Sequence, residues 1–252
     1  MKLRALRRDR AARLGPELFM LERAFDDCLE RIALNDRRFG RALLIGCADP
    51  HWPQRLRNLA EGVEVRDPGP LFAAAAGGQV ITEDAWEPES DAFDLILAIG
   101  TLDTVNALPL ALHLARHAMS GNGLFIGALS GGETLPQLRA AMRAADSASG
   151  AAAPHIHPRV EASALAPLLA QAGFVNPVVD VDRVNVSYRS LDRLVADLRA
   201  MAATNLLTAR PRIVSKAARE AARRSFAAAG NGEKTTETFE VLHFAAWTPA
   251  NG

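Results

Sequence analysis

Between residues 18 and 32 the apolar positions Leu18, Leu21, Phe25, Leu29 and Ile32 recur at steps of three and four, with Glu22, Arg23, Asp26, Asp27 and Glu30 between them. That spacing predicts an amphipathic helix. A different grammar begins at Arg41, where Ala-Leu-Leu-Ile runs unbroken into Gly46 and Cys47, as expected of a strand over 41–47 buried on both faces. Similar short apolar runs predict strands at 63–66, 79–82, 93–99 and 124–129. Helical patterns fall between them at 53–60, at 107–119, closed by Gly121 and Gly123, and at 135–145, opened by Thr134. A further helix over 161–172 is stopped by Gly173 and feeds a strand over 174–181. Strands alternating with helices predict an α/β doubly wound, mostly parallel, Rossmann-like sheet of about seven strands, with ligand at the carboxyl ends of the strands. After that the alternation breaks. Two helices, 191–203 and 212–229, precede a last strand over 238–246, so that helical additions occupy about 190–229.

Composition narrows the picture. A chain of 252 residues that is 49% hydrophobic can bury one sizeable core, so a single domain over 17–252 is expected. Lys and Arg balance Asp and Glu at 29 each, which removes the electrostatic case for a dedicated nucleic-acid binder. The balance is uneven: residues 1–13 hold Lys2, Arg4, Arg7, Arg8, Arg10 and Arg13 against Asp9 alone. Residues 1–16 read as a basic arm that contributes charge rather than core, and its removal is expected to leave the fold intact. Arg212, Lys216, Arg219 and Arg223 form a second basic stripe at helical spacing, which reads first as a solvated helix face and second as a contact for an acidic partner. Cys28 and Cys47 are the only cysteines, which excludes a disulfide framework and points to a reducing, cytoplasmic setting. The apolar runs fall well short of the roughly 20 residues of a spanning helix, and no transmembrane segment is expected. His155 and His157 lack a spaced third ligand, so no metal is expected.

In doubly wound folds the loop after the first strand carries glycines, because backbone without side chains lets a nucleotide-type cofactor approach. Here that loop reads Gly46-Cys47-Ala48-Asp49-Pro50-His51-Trp52, with one glycine. Leu43 to Ala48, Asp67, Thr82-Glu-Asp84-Ala85-Trp and Phe93-Asp94-Leu95-Ile96-Leu97 occur in the order of a class I S-adenosylmethionine-dependent methyltransferase, and the chain resembles that superfamily. More narrowly, it resembles the branch holding the malonyl-carrier-protein methyltransferase of biotin synthesis and the respiratory complex I assembly factor 5 family. Val105-Asn106-Ala-Leu108-Pro109, Gly132-Glu-Thr134-Leu135, Tyr188-Arg-Ser190-Leu191 and, most specifically, Asp197-Leu198-Arg199-Ala-Met201 carry the narrower likeness.

The resemblance implies that S-adenosylmethionine is met by Gly46, Cys47, Ala48, Asp67, Asp84, Ala85 and Ile99. Asp67 would accept from the ribose hydroxyls, and Asp84 with the Ala85 amide would read the adenine edge; a carboxylate has the acceptor capacity for either task. His155, Tyr188, Arg199 and Asn205 would lie near the substrate entrance. The sequence departs from the family pattern at Leu44, where an acid is usual, at Ala48, where a second glycine is usual, and at Pro50, which has no amide hydrogen. It also reads Leu102-Asp103-Thr104 where Leu-His-Trp is common, and no catalytic residue is assigned. Two functions follow. One is a methyltransferase or close relative acting on an unknown acceptor, with a protein of complex I assembly as the implied partner and hydroxylation as an alternative chemistry in that branch. The other is a catalytically silent assembly protein. A nicotinamide-dependent oxidoreductase is a weaker third, since its phosphate loop needs three glycines.

Overall fold

The computed structural model describes residues 2–150, 153–207 and 215–250. Its strands are β1 (Phe39–Ile45), β2 (Ala60–Asp67), β3 (Gln79–Val80), β4 (Phe93–Ile99), β5 (Met119–Ser130), β6 (Val175–Tyr188) and β7 (Thr235–Trp247). The helices are α1 (Lys2–Leu14), α2 (Phe19–Ala33), α3 (Trp52–Leu56), α4 (Pro70–Ala75), α5 (Leu108–His117), α6 (Pro136–Ser149), α7 (Ala162–Gln171), α8 (Leu191–Ala200) and α9 (Lys216–Ala228). The seven strands form one sheet in the order β3-β2-β1-β4-β5-β7-β6. β7 runs antiparallel to both of its neighbours, and the other pairings are parallel. The expected doubly wound sheet is therefore present, with its reversal of strand order beside β1 and β4.

Alternation along each strand divides the core. Ala42 and Leu44 of β1, Leu95 and Leu97 of β4, and Leu124 and Ile126 of β5 join α2, α6, α8 and α9 on one face. Leu43, Ile45, Ile96 and Phe125 join α5 and α7 on the other. Trp52 is held between layers by stacking on Phe25, 4.4 Å between ring centroids, while its indole nitrogen donates to Glu22.

Several boundaries differ from the sequence expectation. The helix expected over 53–60 is a single turn, because Ala60 already pairs with Phe39 as the first residue of β2. The helix over 107–119 stops at His117; Met119 pairs with Phe93, and Gly121 and Gly123 lie inside β5 rather than closing the helix. Thr134 does not open α6. Its hydroxyl is buried against the backbone of Glu240, and the carboxylate of Glu237 from β7 accepts from the Gln137 and Leu138 amides instead. The strand expected over 174–181 extends to Tyr188, and the strand over 238–246 begins at Thr235. Of the basic stripe, Arg212 lies outside the described residues. Arg223 pairs with Asp192 of α8, as on a solvated face.

The largest departure is at the amino terminus. Residues 2–14 form a helix that lies against α4 and α8, with Ala11 fully buried and Arg4 and Arg8 almost so. This corrects the expectation that the segment adds charge alone. Arg4, Arg8 and Ala11 fall on one helix face at steps of four and three, and that face is part of the interior.

Candidate active site

Of the sequence-predicted cofactor residues, Gly46, Cys47, Ala48, Asp67 and Ile99 lie at the carboxyl ends of β1, β2 and β4, whereas Asp84 and Ala85 follow β3. Gly46 leaves β1 at φ +83°, where a Cβ would stand 2.3 Å from the carbonyl oxygen of Ile99, so only glycine takes this turn without strain. Ile99 and Ala48 are buried beside it. The Cys47 amide donates to Asp67 Oδ2 at 2.8 Å, which ties the loop to the end of β2. The Cys47 thiol is pushed up to about 12, by burial first and then by the carboxylates of Asp67 and Asp49, so it is no nucleophile.

Asp67 is completely buried, and both of its oxygens are taken. Oδ1 accepts from Arg8 Nε at 2.7 Å and from the Gly69 amide at 2.7 Å; Oδ2 accepts from Arg8 Nη2 as well as from Cys47. The Arg8 guanidinium also lies 5.0 Å from the centroid of the Phe72 ring. Burial works against the charge of Arg8, but the attraction of Asp67 and the hydrogen bonds to it prevail and raise its pKa. One turn earlier on α1, Arg4 forks onto Glu83, with Nη1 on Oε2 and Nη2 on Oε1, and it also donates to the Thr101 carbonyl and the Thr104 hydroxyl. Asp9 completes the docking by accepting from the Leu71 amide at the start of α4.

Asp84 and Ala85 are committed differently. Asp84 Oδ2 accepts from the Asn106 and Ala107 amides at the start of α5, and the Ala85 amide donates to Thr82.

Past Arg4 and Arg8, on the side of β5 and β7, the cleft widens into a cavity that opens to solvent. Its walls are chiefly apolar, from Met20, Leu21, Leu135, Leu198, Met201 and Phe239. Arg4, Arg8, Asp103, Arg159 and Glu240 supply its charge, and Asp103 pairs with Arg159 in a buried bridge. His157 stands near them with its pKa lowered, by burial first. The predicted entrance residues are not in the cavity wall, although neighbours of Arg199 and Asn205 are. His155 bonds Asp146 at 2.7 Å, and the Asn205 amide donates to the Pro154 carbonyl. Tyr188 is buried, and burial followed by the Asp197 carboxylate raises its phenol. Arg199 is exposed on α8 facing Arg10, whose pKa is lowered by burial and then by Arg7 and Arg199. Among the described residues no group of three His, Cys, Asp or Glu could hold a metal ion, and no helix is long and apolar enough to cross a membrane.

The sequence reading missed Arg4, Arg8 and Glu83. The sequence shows two arginines one helical turn apart, but the carboxylates they meet, at the end of β2 and after β3, are 59 and 79 positions away, so no local pattern pairs them.

The strand order, the glycine turn after β1 and the buried acid ending β2 define the class I methyltransferase fold. Solved structures agree on the fold. YcgJ from Bacillus subtilis superimposes with a TM-score of 0.60 at 10% identity, over 90% of this chain and all of that one. Phosphoethanolamine N-methyltransferase 2 from Haemonchus contortus, in complex with S-adenosyl-L-methionine, gives 0.54 at 12% identity, over 89% and 52%. No protein-family model matches the chain. Among proteins of known name, arginine-hydroxylase NDUFAF5, mitochondrial, of Danio rerio is 32% identical over 227 residues, 84% of this chain and 70% of that protein. The human protein of the same name is 35% identical over 128 residues, and the match spans only 37% of its length. Malonyl-[acyl-carrier protein] O-methyltransferase of Xylella fastidiosa is 34% identical over 169 residues, 65% of this chain and 55% of that one. The chain belongs to the NDUFAF5 family within the class I S-adenosylmethionine-dependent methyltransferase superfamily.

The residue types fit such a cofactor in part. Asp67 has the acceptors for vicinal hydroxyls, and Gly46 gives the close backbone passage, but with α1 docked both Asp67 oxygens are satisfied by Arg8 and backbone amides. The acid that such a cofactor would need is present, and the chain's own arginine occupies it.

Proposed function

We propose that the chain is an S-adenosylmethionine-dependent enzyme of this family that acts on a protein side chain during assembly of respiratory complex I. One observation carries the reading: a buried acid and a glycine turn stand at the reversal of the sheet, and Arg8, which holds that acid, also lines an open, chiefly apolar cavity. S-adenosylmethionine, when bound, supplies an electrophilic methyl group. Asp67 would hold the ribose, Asp84 and the Ala85 amide would read the adenine, and the apolar walls at Leu198, Met201 and Phe239 would exclude water from the acceptor. The relatives' names cover both hydroxylation and O-methylation, so we leave the transferred group open and assign the binding. The reducing compartment expected from the cysteines remains part of this proposal; Cys28 and Cys47 are both free thiols.

A second reading, a fold-retaining assembly protein without catalysis, draws on Leu44 in place of the usual acid and on the pairing of Asp103 with Arg159. Calorimetric titration of the full chain with S-adenosylmethionine and S-adenosylhomocysteine separates the two. Binding that Asp84→Ala weakens supports the enzyme; no binding by the folded chain or by its Arg8→Gln variant favours the silent protein.

A further inference from the structure

The observations around α1 go beyond assigning a cofactor seat. Two arginines one turn apart each make a forked pair with a buried carboxylate, and the two carboxylates end the adjoining strand regions that a nucleoside would have to reach. Such pairing is geometrically specific, yet it draws little net stability from burial, since both charges have lost their water. It is therefore suited to exchange: vicinal hydroxyls can take over the Asp67 acceptors if Arg8 returns to solvent. α1 is also built to leave as a unit. Apart from Ala11 its buried face is polar, and its outward side carries Leu6 at 61% and Leu14 at 62% exposure. Closeness of fit supplies the remaining constraint. A Cβ at Gly69 would stand 2.7 Å from Arg8 Cβ, so the backbone at the end of β2 is shaped to receive this arginine.

We propose that α1 is a gate acting in cis, in which Arg8 and Arg4 compete with the cofactor for Asp67 and the adjoining cleft, so that the chain binds cofactor only with α1 displaced. This rests on the cofactor assignment above, and the test keeps the two apart. In a two-state gate the apparent affinity is the intrinsic affinity reduced by the fraction of open molecules. Loss of the arginine contacts therefore tightens binding instead of weakening it.

The experiment compares the full chain with Arg8→Gln and with Gly69→Ala, the latter wedging α1 outward while leaving every charge in place. S-adenosylhomocysteine is titrated by calorimetry, and amide exchange over 2–14 is followed with and without it. The gate predicts at least about tenfold tighter binding by both variants and faster exchange of α1 in the wild-type chain when S-adenosylhomocysteine is added. Weaker binding by Arg8→Gln, with α1 more protected by the ligand, would show the arginine to be a cofactor contact and overturn the gate alone. Unchanged affinity in a Gly69→Ala chain whose α1 exchanges freely would also overturn it. Absence of binding by all three chains, with α1 open in the variants, would overturn the cofactor assignment and the gate with it.

Discussion

The two halves of the cleft are closed by opposite means. At β1 and β2 the interior is ionic and filled, with Arg8 on Asp67 and Arg4 on Glu83. At β5 and β7 it is open and chiefly apolar, bounded by Met201, Leu198 and Phe239. The second half is walled mainly by apolar side chains, whose burial needs no particular partner. The first half needs specific partners, because a buried guanidinium is tolerated only against a carboxylate. The ionic half thus has the larger penalty for a single broken contact and the smaller tolerance for change.

Asp67→Ala breaks that half most severely. It strands Arg8 without its partner, and we expect a loss of about 3–5 kcal/mol, read from urea unfolding, where the buried pairs stay unscreened. A loss under about 1 kcal/mol would mean that α1 is not docked in solution. Gly46→Ala comes next: strain at φ +83° and the clash with Ile99 predict about 2–3 kcal/mol, measured the same way. In the apolar half Met201→Ala truncates a side chain at the cavity wall, so the cost falls to the low end for such a change, about 2 kcal/mol. A loss equal to that of Asp67→Ala would erase the contrast between the halves. Smallest is the reactivity of Cys47. With the thiol at about 12, the folded chain at about pH 8 holds on the order of one thiolate in ten thousand. Alkylation followed by mass spectrometry should leave Cys47 untouched, and rapid labelling would report an open ionic half.

Much of this was legible in the sequence. The run 93–99 is β4 residue for residue, and the doubly wound order follows from short apolar strands alternating with amphipathic helices. Gly46 was legible as a turn because the loop after the first strand of such a fold is tight, and Asp67 came into view through the family resemblance; the cofactor role of both belongs to the proposal. The role of Arg8 was not, since it depends on a carboxylate 59 positions away, and local periodicity carries no information about such a pair. A helix whose buried face is arginine looks like a solvated arm until its partners are placed. The start of α6 misled for the same reason: its amides are satisfied by Glu237 from across the chain, and the nearby Thr134, an obvious local cap, is used elsewhere.

The sheet's two edges also differ. β3 ends the sheet after two residues, whereas β6 runs for 14 with β7 as its only strand neighbour among the described residues, leaving a long row of backbone groups able to template another strand. Exposed Val178 and Val181 would favour such growth, but Asp180 and Asp182 are interleaved with them and held by Arg31 and Arg23 of α2. The carboxylates place charge on the border where a second chain would add, and α2 keeps them in position. Replacing both with valine would turn this border into an aggregation seed, and solubility, not folding, is the property expected to fail first.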